Sequence, residues 1–239
     1  MKTPVQPPPR LPLYLRLLAR LLRLFFHLLY HPFAWAYDFV AATVSLGQWN
    51  EWVNVALRYI PVQGRVLELG HGPGHLQLAL AQQGAWVTGL DRSRQMGQIA
   101  RRRLRRASGA AGRGPALVNG LAQTLPYAAE SFTQVVATFP TEYLFAPQTL
   151  AEVYRVLQNG GSLVVLPTAW ITGKSLAQRA AAGLFRITGQ SPEFDQTDQR
   201  QLTEPFRIQG FETKTELVML KGSTVFVIIA EKTGRANII

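Results

Sequence analysis

Three glycines at every second position mark the stretch of this sequence where chemistry is most readily placed. They are Gly70, Gly72 and Gly74, and they follow a short apolar run that contains the acidic residue Glu68. Apolar residues at helical spacing come next, so the segment predicts a buried strand, a glycine turn and a helix. Such a turn lets a ligand approach the backbone and its N–H groups, because no side chain stands in the way. We expect a nucleotide-type cofactor site here.

The spacing of the glycines separates two classes of cofactor. A dinucleotide fingerprint needs its third glycine three residues after the second, and His75 occupies that place. The pattern is instead E-x-G-x-G-x-G, which resembles motif I of the class I S-adenosylmethionine-dependent methyltransferases. In that family the turn passes beneath the methionine part of the cofactor, and the residue at the Glu68 position helps to anchor it.

The resemblance continues one strand later. The segment 86–90 predicts a second strand that ends at Asp91, which lies 21 residues after Gly70. A carboxylate at the tip of the next parallel strand accepts hydrogen bonds from ribose hydroxyls. The residues from Arg92 to Met96 are similar to the family's D-x-S-x-x-M, in which the methionine packs near the adenine.

A third stretch, GLAQTLPYAAESFTQVVAT, resembles the family's G-D-A-x-x-L-P-F and S-F-D-x-V but departs from it twice. Leu121 replaces the acid that usually recognises the adenine amino group, and Thr133 replaces an aspartate. The resemblance implies that the backbone of Ala122 or the side chain of Gln123 meets the adenine instead. The full set of cofactor-binding residues that the resemblance implies is Glu68, Leu69, Gly70, His71, Gly72, Gly74, Asp91, Arg92, Met96, Leu121, Ala122, Gln123 and Thr138.

Methyl transfer makes few demands on the protein, because the sulfonium methyl is already activated. It needs an in-line acceptor in a dry cavity, and a base only where the accepting atom loses a proton. No such base stands out, and no metal-ligand pattern competes; the chain has no cysteine, which excludes thiolate sites. We expect acceptor contacts at the carboxyl edge of the sheet and from the preceding and following segments. These candidates are Tyr37, Phe139, Glu142, Tyr143 and Trp170.

The chain of 239 residues suits one α/β domain with an appendage. The resemblance implies a doubly wound, seven-stranded Rossmann-like methyltransferase sheet with an antiparallel last strand. We predict a methyltransferase domain over residues 60–232, an N-terminal arm over 1–59 and a short tail over 233–239. A helix predicted over Thr168–Gln190 has an apolar face, which suggests an apolar acceptor beneath it.

The N-terminal arm carries an amphipathic pattern over residues 11–31. Ten leucines surround a single polar stripe formed by Arg16, Arg20, Arg23 and His27. This pattern favours a helix lying in the plane of an anionic membrane over one that spans it. Two other interpretations stay open: a lid or dimer contact on the domain, and a signal peptide.

Charge is distributed unevenly along this basic chain, whose formal net charge is +11. Residues 92–113 contain eight arginines and no acid. They form either a phosphate-binding surface for lipid or RNA, or an ordinary solvated helix face. The absence of aromatic residues among them disfavours nucleic acid. We therefore predict methylation of a lipophilic small molecule by a cytoplasmic enzyme on the inner membrane face; RNA methylation and a catalytically silent membrane scaffold remain alternatives.

Overall fold

Seven strands form one sheet, and the first five of them run parallel. The computed structural model describes residues 41–43, 45–61, 63–108, 116–172 and 196–234. The strands are β1 (Arg65–Leu69), β2 (Trp86–Asp91), β3 (Ala116–Asn119), β4 (Phe132–Thr138), β5 (Leu157–Ile171), β6 (Phe211–Leu220) and β7 (Ser223–Lys232). Their order is β3-β2-β1-β4-β5-β7-β6, and β7 is antiparallel to both of its neighbours. The predicted fold class is confirmed.

Helices cover both faces of this sheet. They are α1 (Trp49–Asn54), α2 (His75–Gln82), α3 (Arg94–Ser108), α4 (Pro147–Val156) and α5 (Gln196–Ile208), with 3-10 turns at Val55–Arg58 and Glu142–Phe145. Alternate residues of β1 enter opposite cores, as strand geometry requires. Val66 packs with α1 and α2, whereas Leu67 packs with α4 and α5. The carboxyl ends of the parallel strands are thereby left open at one edge of the sheet.

Strand β5 is longer than the sequence predicts. Its apolar centre is where expected, but the strand continues to Ile171, so a helix starting at Thr168 is wrong. The reason is tertiary, because Trp170 pairs with Thr224 of β7, more than fifty residues away. The remainder of that predicted helix, from residue 173 to 190, lies outside the described residues.

The predicted membrane-binding segment 11–31 and the acceptor candidate Tyr37 also lie outside the described residues. Among the helices that the structure does describe, none combines the length and the apolar character needed to cross a bilayer.

Candidate functional site

The glycine turn between β1 and α2 adopts a backbone that only glycine accepts readily. Gly70, Gly72 and Gly74 have φ angles of 70°, 51° and 83°, in the left-handed region. A β-carbon at Gly72 would meet nothing within 4 Å, so this side of the turn is open. At Gly74 a β-carbon would lie 2.9 Å from Cβ of Ala100 in α3, so the third glycine lets the two helices approach.

The N–H groups of the turn are used inside the protein. Gly70 and His71 donate to the carbonyl oxygen of Leu90, at 2.7 and 3.4 Å. Gly72 donates to Oδ2 of Asp91 at 2.8 Å, and Gly74 donates to the carbonyl of His71 at 3.0 Å. The expectation that the turn offers its N–H groups to a ligand is therefore wrong for the N–H groups of these four residues. The glycines supply room and curvature rather than an anion cradle, which suits a cofactor without phosphates.

Asp91 is held firmly at the tip of β2. Its Oδ2 accepts from Gly72, and its Oδ1 accepts from the N–H of Ser93 at 2.7 Å. The side-chain amide of Asn119 donates to the carbonyls of Asp91 and Arg92, at 2.9 and 2.8 Å, which fixes the chain on either side. A carboxylate has about four lone-pair sites, so two remain for ligand hydroxyls.

Glu68 lies beneath the turn, with 2% of its surface exposed. Nε2 of Gln77 donates to its Oε2 at 2.7 Å. The pKa of Glu68 is raised to about 8, chiefly because burial disfavours the charged form; the Gln77 hydrogen bond lowers it in part, and the charge of Asp91 adds to the rise. The carboxyl group is consequently mostly protonated at neutral pH. Oε1 of Gln77 is buried without a hydrogen-bond partner.

His71 also points below the turn, with 4% of its surface exposed. Its Nδ1 lies 2.7 Å from the carbonyl oxygen of Gly72, so Nδ1 carries the proton and donates it there. Burial lowers the pKa of the imidazole, against the opposing effect of Asp91. Gly89 of β2 leaves room for the side chains of His71 and Gln77. A β-carbon at Gly89 would lie 2.9 Å from the His71 imidazole and 3.0 Å from the amide carbon of Gln77.

The loop after β3 is positioned by a clamp from α4. Arg155 donates to the carbonyls of Tyr127 and Leu125, at 2.7 and 3.1 Å, and pairs with Glu152 at 2.7 Å. Glu152 in turn accepts from the N–H of Leu125 at 2.7 Å. The E-x-x-R pair of the sequence therefore fixes the segment that begins at Leu121.

The residues predicted to surround the adenine differ in exposure. Met96 and Ala122 are buried, Gln123 and Thr138 are half-buried, and Leu121 is exposed. The other departure from the motif, Thr133, is at the opposite end of β4, where its hydroxyl donates to the carbonyl of Arg65 at 3.1 Å. That substitution is therefore remote from the candidate site.

Aromatic side chains gather beyond the end of β4. Phe139 has a φ of 49° and donates its N–H to the carbonyl of Leu166 at 2.7 Å. Its ring centroid lies 4.7 Å from that of Trp49 and 6.1 Å from that of Trp52. Tyr143 reaches the glycine turn from the same loop, because a β-carbon at Gly70 would lie 2.7 Å from its hydroxyl. We call Trp49, Trp52 and Phe139 the aromatic wall.

The other acceptor candidates lie elsewhere. Glu142 is exposed, and Trp170 is 7% exposed and packed in the core on the α4 and α5 face. Arg92, predicted for the cofactor, is exposed beside Asp91. The structure thus brings Asp91 and Tyr143 to the glycine turn and places Phe139 in the aromatic wall. Glu142 stays exposed, and Trp170 lies in the core.

Comparison with known proteins places this arrangement in a family. The model of a methyltransferase domain family matches residues 67–165. A demethylmenaquinone methyltransferase from Symbiobacterium thermophilum is 32% identical over 242 residues, covering 86% of this chain and 92% of that protein. This chain belongs to the class I S-adenosylmethionine-dependent methyltransferases.

Another relative matches over a shorter stretch, and a solved structure shares the fold. The ubiquinone/menaquinone biosynthesis C-methyltransferase of Geotalea daltonii is 31% identical over 137 residues, so that match spans about half of each protein: 54% of this chain and 57% of that one. A solved structure from Methanococcus maripaludis, described as an S-adenosylmethionine-dependent methyltransferase, is 22% identical. The match covers 86% of this chain and 94% of the chain in the solved structure, with a TM-score of 0.61. It supports the fold alone.

The cofactor of this methyltransferase family is S-adenosylmethionine, and the residues present fit it. The open side of Gly72 leaves room for a ligand against the turn. Asp91 keeps acceptor capacity for hydroxyls, as set out above, and the turn presents no phosphate cradle. Within the described residues no group of His, Asp and Glu side chains is placed to hold a metal ion.

Two contributions to this methyltransferase site escape the motif comparison. Gln77, which binds Glu68, is on the buried face of α2 beside Leu76 and Leu80. A polar residue on an apolar helix face could have indicated the role of Gln77 from the sequence alone. Asn119, which fixes the chain around Asp91, gave no such signal, since an amide at the end of a strand is common in loops.

Proposed function

We propose that this chain transfers a methyl group from S-adenosylmethionine to a small, lipophilic, quinone-like acceptor. The observation that carries the proposal is that Phe139 of the aromatic wall and Tyr143, whose hydroxyl approaches Gly70 of the glycine turn, both lie in the segment that follows β4. Flat apolar rings prefer such surroundings, because aromatic pairs stack with centroids about 4.5–7 Å apart. The Symbiobacterium relative is named a demethylmenaquinone methyltransferase and the Geotalea relative a ubiquinone/menaquinone biosynthesis C-methyltransferase, which supports the same class of acceptor.

The cofactor would be held by the elements of the glycine turn and its neighbours. Asp91 would accept from the ribose hydroxyls, Met96 and the backbone of Ala122 would border the adenine, and Glu68 would lie beneath the methionine part. When bound, the cofactor supplies an activated sulfonium methyl group. The chain itself then has to exclude water and orient the acceptor ring. Trp49 and Phe139 are half-buried and provide the apolar surface for both tasks.

A product assay tests this function directly. The full chain is incubated with S-adenosylmethionine and a short-chain demethylated naphthoquinol, and the products are examined by mass spectrometry. We expect a product heavier by one methylene equivalent. Cofactor binding is measured in parallel by calorimetry. Binding without methylation of the quinol would overturn the proposed acceptor, whereas absence of cofactor binding would overturn the enzyme and favour the silent scaffold.

We also propose that the acceptor is met at the cytoplasmic face of an anionic membrane, with residues 11–31 making the contact. The support is the leucine-rich pattern with one arginine stripe in the sequence. Flotation with phosphatidylglycerol vesicles compares the full chain with a variant that lacks residues 1–31. We expect the full chain to float and the shortened chain to stay in the soluble fraction; equal partition of the two would contradict this contact.

A further inference from the structure

A groove of about 250 Å³ lies between α3 and the edge strand β3, and most of its lining has no role in the proposed methyl transfer. None of the three turn glycines and none of the loop residues 121–123 lines it. The groove therefore adjoins the cleft proposed for the cofactor, with which it shares Asp91 and His71, and continues from there between α3 and β3. Its lining residues are His71, Asp91, Ser93, Arg94, Gly97, Gln98, Arg101, Leu117, Val118 and Asn119.

A glycine inside α3 keeps this groove open. Gly97 is a helical residue with φ outside the left-handed region, so its backbone does not require glycine. A β-carbon there would meet nothing within 4 Å, so close packing does not require it either. Glycine in a helix interior destabilises the helix relative to alanine. What its missing side chain provides is space in the groove.

The charges around the groove suit an anion. Arg94 and Arg101 are exposed and line the same wall, two turns of α3 apart. Neither forms an ion pair with an acid among the described residues. Asp91 is the one acid in the lining, and each of its oxygens already accepts a backbone N–H. The two guanidinium groups outnumber this carboxylate among the lining side chains, so the balance of charge favours an anion.

Hydrogen-bonding groups complete the lining. The exposed amide of Gln98 provides donors and an acceptor, whereas the amide hydrogens of Asn119 and the hydroxyl of Ser93 are engaged within the protein. Arg94 Nε donates to Oδ1 of Asn119 at 3.4 Å, a long bond that leaves most of its donors for a ligand. Arginine pairs and amides of this kind match the geometry of phosphate oxygens.

We propose that this groove binds a phosphate ester carried on a small polar group. Its volume is below the roughly 300–1,000 Å³ of pockets for drug-sized ligands, so the ligand is small. The phosphate comes either from a soluble phosphorylated metabolite or from the headgroup of an anionic lipid. Both present the same chemistry to Arg94 and Arg101, and the experiment separates them.

The probes are glycerol 3-phosphate, measured by calorimetry, and phosphatidylglycerol vesicles, measured by flotation of a chain lacking residues 1–31. Gly97→Leu fills the groove, and Gly97→Ala is its control, because it keeps most of the space and favours the helix. Arg94→Gln with Arg101→Gln removes the charges. Arg102→Gln is the matched control, since Arg102 is exposed on the same helix but does not line the groove.

We expect at least one probe to bind, with affinity at least tenfold weaker in Gly97→Leu and in the double arginine variant. Gly97→Ala and Arg102→Gln should bind within twofold of the unmodified chain. Binding of glycerol 3-phosphate assigns a soluble ligand, and binding of vesicles alone assigns a headgroup. The proposal is overturned if neither probe binds, or if Arg102→Gln weakens binding as much as the double variant does. Circular dichroism confirms that each variant is folded.

Discussion

The hydroxyl of Tyr143 lies 2.7 Å from where a β-carbon of residue 70 would be, so Gly70 and Tyr143 occupy complementary space. The first is in the turn after β1, and the second is in the loop after β4. The cofactor and the acceptor are proposed to meet between these two loops, and the contact between Gly70 and Tyr143 sets the distance between the loops. Substituting each residue alone and both together therefore tests whether the two compete for this space.

Gly70→Ala should destabilise the protein by two separate effects. Backbone strain at a φ of 70° costs about 1–2 kcal/mol, and the contact with the Tyr143 hydroxyl adds to it. In a Tyr143→Phe background the nearest remaining ring atom is 3.7 Å away, an ordinary contact, so only the strain should persist. Urea unfolding of the four proteins in this cycle measures the difference.

Gly84→Ala provides the matched control for this cycle. Its φ is 81°, and a β-carbon there meets nothing within 4 Å, so it reports strain alone. We expect Gly84→Ala to be insensitive to Tyr143→Phe. An equal cost of Gly70→Ala in both backgrounds would show that Tyr143 does not limit the space at the turn.

Asp91→Ala should weaken S-adenosylmethionine binding at least tenfold, which corresponds to about 1.4 kcal/mol. It removes the proposed acceptor for the ribose hydroxyls, and it also leaves the N–H groups of Gly72 and Ser93 without their partner. Calorimetry gives the affinity, and thermal unfolding shows whether the fold survives. Glu212→Ala, which removes an exposed acid on β6, is the control and should bind as before. Unchanged affinity in a folded Asp91→Ala protein would place the cofactor elsewhere.

Glu68 should make the stability of the protein fall as the pH rises. Its pKa is raised to about 8 in the folded state from an ordinary value of 4.5, so the folded state binds this proton more tightly than the unfolded state. The resulting stabilisation is complete below about pH 4.5 and is lost as the pH rises through about 8. The shift corresponds to up to about 5 kcal/mol.

Urea unfolding at about pH 5, pH 7 and pH 9 measures this dependence. Glu68→Gln is neutral at every pH and keeps a hydrogen-bonding side chain beside Gln77. We expect its unfolding free energy to vary less with pH than that of the unmodified chain. Parallel pH profiles for the two proteins would show that Glu68 does not carry a shifted proton.

Arg155→Lys should destabilise the loop after β3, although the charge is kept. The planar guanidinium donates to Tyr127 and Leu125 and pairs with Glu152 at once, and an ammonium group does not match that geometry. We expect a loss of about 1–3 kcal/mol in unfolding free energy. Arg207→Lys is the control, because Arg207 forms an exposed pair with Glu204 at 4.0 Å and should change stability by less than about 0.5 kcal/mol. Equal effects at the two positions would contradict the role of the clamp.

The sequence predicted those parts of the fold that short segments specify. The turn from Gly70 to Gly74 and the position of Asp91 follow from local spacing, because a parallel strand, a glycine turn and the next strand each leave their own pattern. The seven-stranded sheet and its antiparallel last strand came from the resemblance to a family. All these predictions agree with the structure.

The remaining features depend on contacts between distant segments. The hydrogen bond from Gly72 to Asp91 redirects a donor that the sequence assigned to a ligand, and only the packing of the two loops shows this. The extension of β5 to Ile171 depends on β7. The stacking of Trp49 on Phe139 joins residues ninety positions apart, so spacing along the chain gave no indication of it.

Trp52 donates its indole N–H to the hydroxyl of Ser223 at 2.8 Å, across 171 positions of the chain. Ser223 then donates to the side chain of Gln48 at 2.7 Å, just before α1. During synthesis the ribosome releases the early tryptophans long before their partner on β7 exists. The surface that would receive the acceptor is therefore completed only after β7 has been synthesised, and a chain interrupted before β7 would carry the glycine turn without a finished place for the molecule to be methylated.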